Sequence, residues 1–460
     1  MGKWQMAGER TTPRRVRRPA CMTPAMLAIT LGLAACSSDS LPSLPKIGDL
    51  NPFAEKQKPL PGKRIPVMAV TDKIGGGELA AADKPITLPA PRANDSWANP
   101  GGLASNAPGH LALASAVKQA WSADAGTGSG STSRVTASPI VADGRVYTMD
   151  AAARVTAFAV GGGSAVWRAS LVPENSRTSD AFGGGLAAEG GRLYAATGFG
   201  IVTALDAGTG KKLWEKNLGI PVRASPTVAD GNVFVVTAEG RFYALSGVDG
   251  RELWDFRGIP EKTSLIFNPS PAVDGGMVVV PYPTGELVAL RASDGQQVWS
   301  ESLAKTRSVS SLASLSDAAS PAIENGVVYA VGHGGRMIAT QQKTGERLWQ
   351  LSVPGTQPPV VAGDSVFVVD TSGQLLAVTK RDGKVSWTVK LPGTNTWSGP
   401  TLAGGMLWVT SNKGQLIGVE AQTGRISSQQ DLGHPVYIAP VVAQGRMFVL
   451  TDKARLIALN

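Results

Sequence analysis

Ser225-Pro226-Thr227-Val228-Ala229-Asp230-Gly231-Asn232-Val233-Phe234-Val235-Val236 opens a stretch that continues through Glu239-Gly240, Ala244-Leu245 and Asp249-Gly250 to Leu253-Trp254, and its reading decides the fold. Val233 and Val235, then Phe242 and Ala244, fall at alternate positions, the period of a half-buried strand. Asp230-Gly231, Glu239-Gly240 and Asp249-Gly250 interrupt these runs, and a glycine after a polar residue supplies the positive φ of a tight hairpin turn. Strand, turn and strand in this close succession predict a small antiparallel sheet of four strands.

The same frame recurs on both sides of that stretch. It returns over 270–299, ending Gln297-Val298-Trp299, and from Ser320-Pro321 to Leu348-Trp349. Looser copies run from Gly184 to Trp214, from Pro358 to Trp387 and from Gly399 to Ser428, and a partial copy runs from Ala439 to Asn460. Tryptophans at 121, 167, 214, 254, 299, 349 and 387 are spaced by 46, 47, 40, 45, 50 and 38 residues, the period of propeller blades and not of a two-layer sandwich. Because a sheet of this size cannot bury both faces alone, the tryptophans are expected to pack between neighbouring blades. Units starting near 138, 184, 225, 270, 320, 357, 399 and 439 make eight, the last lacking one strand. Ser115-Ala-Val-Lys-Gln-Ala-Trp121 reads as that missing outer strand, so the N- and C-terminal segments close one blade and remove the open edges of the ring. The fold class is therefore all-β, an eight-bladed β-propeller with four-stranded antiparallel blades.

Ahead of the repeats, Arg14, Arg15, Arg17 and Arg18 precede an apolar run from Ala25 to Ala35, the layout of a secretory signal peptide and too short to span a bilayer as a helix. Leu33-Ala34-Ala35-Cys36 resembles the bacterial lipobox, which implies signal cleavage and lipidation of Cys36, with acylation of the new N-terminus. Ser37 stands where inner-membrane retention usually calls for Asp, so the resemblance favours the periplasmic face of the outer membrane. Met1, Met22 and Met26 are all candidate starts, and the twin arginines lack the rest of a Tat motif. From Ser37 to about Asp95 the chain is rich in Pro with Lys and Gly, an extended tether in which Ile65 to Thr71 can pair as a short edge strand. The expected organisation is a signal peptide over 1–35, a tether over 36–95 and the propeller over 96–460.

Charged residues are 17%, hydrophobic ones 43% and glycines 55, a composition for a soluble, turn-rich fold. The net charge of +9 falls to +4, 38 basic against 34 acidic, once residues 1–35 are set aside. No basic stripe remains, which argues against nucleic acid as a partner. Cys21 and Cys36 are the only cysteines, so no disulfide can form within the repeats.

The form Ala204-Leu205-Asp206-Ala207-Gly208-Thr209-Gly210-Lys211-Lys212-Leu213-Trp214 resembles the repeats of pyrroloquinoline-quinone (PQQ)-type propellers. Lipobox, tether and eight blades together, over roughly 36–460, are similar to the BamB family of lipoproteins of the outer-membrane β-barrel assembly machinery. That resemblance implies a non-catalytic scaffold without a cofactor, working with other assembly lipoproteins and binding the periplasmic domains of the central insertase BamA. It also implies where contact is made, in two segments on successive blades. The first reads Thr263-Ser264-Leu265-Ile266-Phe267-Asn268-Pro269, keeping Ser264 and Leu265 of the family pattern but not its Arg. The second reads Leu315-Ser316-Asp317-Ala318-Ala319, keeping Ser316 and the first acid, Asp317, but not the second. Apolar anchors beside a charge suit an interface. Leu265 reads equally as inter-blade packing, and Asp317 as the cap of a turn.

Other chemistry is thinly represented. His110, His333 and His434 have no ligand spacing, and Gly126-Thr127-Gly128-Ser129-Gly130 lacks the Gly-Lys-Ser/Thr of a phosphate loop. Two alternatives stay open. A PQQ-dependent dehydrogenase would share the repeat, with Trp397 or Trp408 as a stacking floor; several such enzymes hold calcium through Glu, Asn and Asp near the axis and stack the quinone under an adjacent cysteine pair, which this body lacks. A glycan-binding propeller lipoprotein would instead expose aromatics at its centre.

Overall fold

The structure, a computed structural model, describes residues 86–114, 116–258, 269–304 and 318–460. Among them are thirty-two strands gathered into eight four-stranded antiparallel sheets, with one short 3-10 turn at Thr178–Ala181 as the helical element. Blades 1 to 7 each use four consecutive strands and span 140–170, 184–217, 227–257, 272–302, 322–351, 360–390 and 397–431. Blade 8 joins the chain's two ends, with β1 (Gln119–Asp124) paired to β32 (Arg455–Leu459), then β31 (Arg446–Leu450) and β30 (Val441–Ala443).

The eight-bladed ring and its mixed closing blade agree with the sequence reading. The closing strand itself begins later than Ser115, at Gln119, and runs on to Asp124. A bulge between Gln119 and Trp121 sets this frame, and Lys118 exchanges two backbone hydrogen bonds of 2.9 Å with Asn460 just ahead of it. Trp121 thereby becomes the third residue of its strand, as are Trp167, Trp214, Trp254, Trp299, Trp349 and Trp387 in theirs.

These seven tryptophans latch the ring. Each indole Nε1 donates to a carbonyl of the next blade, from Trp121 to Val160 at 3.0 Å through Trp254 to Ala292 at 3.0 Å and Trp387 to Ala421 at 3.1 Å. The other four, Trp167 to Ala207, Trp214 to Gly247, Trp299 to Gln342 and Trp349 to Lys380, follow the same rule. The glycine of the receiving turn explains the Thr-Gly signature: a Cβ on Gly295, where φ is +74°, would lie 2.4 Å from the Trp254 ring. One blade's tryptophan and the next blade's glycine are thus a single contact, repeated seven times. Blade 7 carries Ser428 in that place and faces blade 8, where chain ends replace the receiving turn.

Between sheets the core is largely aliphatic with interleaved Tyr and Phe rings. Val233, Val235 and Leu245 of blade 3 pack with Tyr194, Val202 and Ala204 of blade 2 in one buried cluster. Buried phenols find carbonyls across the seam, Tyr147 on Ala207 at 3.0 Å and Tyr194 on Gly247 at 3.1 Å, each bond contributing about 1 kcal/mol. Burial raises the ionisation range of both phenols, which keeps them neutral donors.

Candidate partner face and axial cavity

Cys36, Ile65 to Thr71, and the partner-contact residues Ser264, Leu265, Ile266, Phe267, Asn268, Ser316 and Asp317 lie outside the described residues. The described flanks define the roots of the two contact segments. The first root joins the outer strand of blade 3, ending at Arg257, to the inner strand of blade 4, starting at Ala272. The second joins Ser302 of blade 4 to Ala322 of blade 5. Both are blade-to-blade crossovers, and together they bracket blade 4.

Tyr282, which the sequence reading did not single out, stands between these roots. Gly258 packs on its ring, and its backbone carbonyl accepts from Ala318 N at 3.5 Å and Gly285 N at 3.0 Å. The side chain is 1% exposed, and its hydroxyl meets no partner among the described residues. Burial pushes its ionisation well above the usual phenol range, so it stays neutral. Ala304 bridges to Gly335 and Ala318 to Gly332, tying the second root to a turn of blade 5. No periodicity marks Tyr282, because its role comes from two turns far apart in the chain.

Around the axis lies a cavity of about 170 Å³, walled by Ser138, Ser225, Ser270, Ser320, Thr356 and Tyr437 and floored by Pro100 and Gly101. The serines precede the prolines that open their inner strands, and neighbouring inner strands approach closely here: a Cβ on Gly185 would lie 2.0 Å from Ser225 Oγ. Among the described residues no acidic or basic side chain lines the cavity. A calcium-bound quinone carries carboxylates and calls for carboxylate ligands to the metal and basic groups for its acids; Gln357 is the one amide in this lining and no charged partner accompanies it, so the lining does not fit the group. Trp397 and Trp408 do not form a stacking floor, being 3% and 0% exposed within core clusters, with Trp408 Nε1 donating to Ala403 O at 3.2 Å. Among the described residues no group of three His, Cys, Asp or Glu is placed to hold a metal. His333 and His434 sit in loops of different blades, while His110 is buried in the segment preceding the propeller strands.

The rim carries a feature that the sequence reading also missed. Val166, Leu213, Leu253, Val298 and Leu348, each just before a latch tryptophan, are exposed on blades 1 to 5. The bulge at that point in the outer strands turns these side chains out of the alternation that hides their neighbours.

Comparison with known proteins bears on what such a ring does. A family model described as outer membrane protein assembly factor BamB matches residues 114–181, 153–389 and 380–460. The BamB of Shewanella oneidensis is 32% identical over 141 residues, 29% of this chain and 35% of that protein. Matches to the first curated relatives cover about a third of those proteins' own length. Among solved structures, BamB from Moraxella catarrhalis superposes with a TM-score of 0.65 at 19% identity, over 75% of this chain and 100% of that one. A quinohemoprotein alcohol dehydrogenase from Pseudomonas putida superposes at 0.64 with 16% identity, over 80% of each chain. At such identities these likenesses show the propeller fold alone and do not separate assembly factor from enzyme. A family match that spans three quarters of the sequence, from residue 114 to the last strand, establishes that this chain belongs to the family of the outer membrane protein assembly factor BamB.

Proposed function

We propose that this protein is a non-catalytic scaffold of outer-membrane β-barrel assembly, held at the membrane by lipid on Cys36 and binding the periplasmic domains of the insertase BamA. The observation that carries the reading is the family match over 114–460, laid on an eight-bladed ring closed by its own chain ends. The proposed contact is made by Ser264, Leu265, Ile266, Phe267 and Asn268 from the first segment and Ser316 and Asp317 from the second. Their roots on both sides of blade 4 support a shared surface, because Tyr282 ties the crossovers to one rigid sheet. Loops displayed by a rigid scaffold are where binding residues concentrate. A scaffold of this kind raises local concentration and needs no bond-making step.

The test is co-purification from detergent-solubilised envelopes with the wild type and with a Leu265→Glu/Asp317→Arg variant. A buried apolar anchor and a reversed charge at an interface centre together cost several kcal/mol, about a thousandfold in affinity, so the variant is expected to lose BamA while keeping its thermal unfolding profile. Wild type that brings down no assembly component overturns the function. A folded variant that still brings BamA down overturns the site. The enzyme alternative is checked by adding PQQ and calcium to the purified chain, where no binding and no dye-linked alcohol oxidation are expected.

A further inference from the structure

We propose that residues 86–113 act as a self-closing belt that holds the eight blades in register and makes the axial channel blind at one face. This segment precedes residue 114, where the family match begins. Its composition reads as linker, yet it receives a backbone N–H from the inner strand or inner hairpin of every blade.

In blades 1 to 5 the donor is the same residue of the inner strand, the one paired across the hairpin with Val146, Leu193, Val233, Val278 or Val328. Val141 N reaches Trp97 O at 2.9 Å, Ala188 N reaches Ala98 O at 2.8 Å, and Val228 N reaches the Asn99 side-chain Oδ1 at 2.8 Å. Val273 N and Ile323 N then reach Ala104 O and Ser105 O at 2.7 and 2.8 Å. In the other three blades the donor lies further on, in the hairpin turn: Asp364 N to Thr87 O at 3.3 Å, Gly404 N to Leu111 O at 2.9 Å, Gln444 N to Asn94 O at 2.6 Å. The innermost strand of a propeller blade presents an unpaired edge to the axis, and an unmet buried N–H is costly. Five such edge donors and three turn donors met by one short segment are an architectural device and not a series of incidental contacts.

The chain order shows how the belt closes. It touches blade 6 at Thr87, blade 8 at Asn94, blades 1 to 5 from Trp97 to Ser105, and finally blade 7 at Leu111, slightly more than one circuit. Where it overlaps itself it pairs with itself: Arg92 N donates to His110 O at 3.0 Å and Ala112 N to Arg92 O at 2.7 Å. The Arg92 guanidinium adds bonds of 2.9 and 3.3 Å to Pro108 O. His110 Nε2 accepts from Gly405 N at 2.8 Å, so Nδ1 is the donor to Pro89 O at 2.7 Å, and one imidazole fastens both belt ends to blade 7. This buckle lies beside the junction of blades 7 and 8, the one without a tryptophan latch. Leu111 enters the same core cluster as Trp408, Val441 and Phe448, a cluster that Trp97 joins beside Val141 of blade 1.

Two close approaches show that the hairpins are shaped for the belt. A Cβ on Gly363 would lie 1.9 Å from Thr87 O, and Asn106 donates through Nδ2 to Pro321 O at 3.0 Å, tying blade 5 to the floor beside Gly101. With Pro100 and Gly101 across the axis, access to the cavity is left to the opposite face, where the blade-to-blade crossovers run.

The test is amide hydrogen exchange on the full chain, wild type against Arg92→Ala/His110→Ala, followed by mass spectrometry of peptides covering the eight inner hairpins. Wild-type hairpins are expected to be as protected as the middle strands. In the variant, peptides holding Asp364, Gly404 and Gln444 are expected to exchange at least about tenfold faster while the middle strands hold. Hairpins that exchange like open turns in the wild type overturn the proposal, as does a folded variant with unchanged protection. Should the variant fail to fold, a chain carrying a protease site in place of Ser115 is cut after folding. The belt fragment is expected to co-elute with the propeller in gel filtration, and its release overturns the belt. No partner enters either measurement, so its failure is distinct from failure of the assembly function.

Discussion

Replacing Trp254 by Ala measures the latch on which the ring is built. An indole buries roughly 200 Å², which at about 25 cal/mol per Å² is at most about 5 kcal/mol. Trp254 is only partly buried, which lowers the packing loss to about 3 kcal/mol; leaving the Ala292 carbonyl without its donor adds about 1 kcal/mol. The expected cost is therefore about 4 kcal/mol, including contacts with Phe234 and Phe242 at 6.1 and 5.7 Å between centroids. Ser428 occupies the same strand position in blade 7 and has no glycine turn opposite, so Ser428→Ala is expected to change stability by less than about 0.5 kcal/mol. Equilibrium urea unfolding of both variants supplies the comparison, and a double-mutant cycle sharpens it. Gly295→Ala alone meets both the Trp254 ring at 2.4 Å and an unfavourable φ of +74°. In the Trp254→Ala background only the φ strain remains, about 1 kcal/mol, so the two substitutions should be coupled by about 1 kcal/mol or more. Additive costs, or a Trp254→Ala loss no larger than that of Ser428→Ala, would refute the latch.

Three further outcomes follow from particular contacts. Tyr282→Phe removes a buried hydroxyl without a partner among the described residues, so stability should be unchanged or rise by up to about 1 kcal/mol in urea unfolding; a loss of that size means that the hydroxyl is satisfied. Asp382 accepts from Thr379 Oγ, with the Arg381 guanidinium also hydrogen-bonded to it, which holds its carboxyl down at about 2. A depressed carboxylate stabilises above its unfolded value near 4 and loses that contribution as pH falls towards 2, so Asp382→Asn should flatten the stability profile across that window; an unaltered profile refutes the contact. Gly363→Val should place branched carbons where Thr87 O sits, speeding exchange at the blade 6 hairpin while leaving the Trp254 seam intact, as read by hydrogen exchange at both places.

What the sequence made legible was what is written locally. Asp-x-x-Thr-Gly-x-x-x-Trp spans a single turn and strand, and its spacing alone implied blades, their number and a tryptophan between neighbours. The spacing did not say that Gly295 receives Trp254 and not its own blade's Trp299, because that pairing belongs to ring geometry. The strand closing blade 8 was recognised, but its frame was displaced, since a bulge at Trp121 is a backbone adjustment with no composition signal. Tyr282 looks like any strand residue until two crossovers meet on it. For the axial site, small residues before proline were visible as a motif, and their reason became visible only where eight strands crowd one axis. The belt was least legible of all. Asn94, Asn99 and Asn106 among prolines and glycines carry the composition of a linker, while their partners Val442, Val228 and Pro321 lie 348, 129 and 215 residues away.

That separation bears on why the belt is buckled where it is. Seven junctions are held by contacts that each blade's own repeat encodes, so every copy brings its own latch. The junction between blades 7 and 8 cannot be encoded in this way, because the turn that would receive a tryptophan is where the chain begins and ends its strands. Some other segment must bury the apolar seam there. Leu111 and Val117 do so, with Gln430 Nε2 donating to Val117 O at 2.7 Å, and the Arg92–His110 overlap secures Leu111. The two departures from the repeat, a serine in place of the eighth tryptophan and a proline-rich segment wrapped across the hairpins, therefore have one physical cause. A ring made from a linear chain has one seam that repetition cannot close.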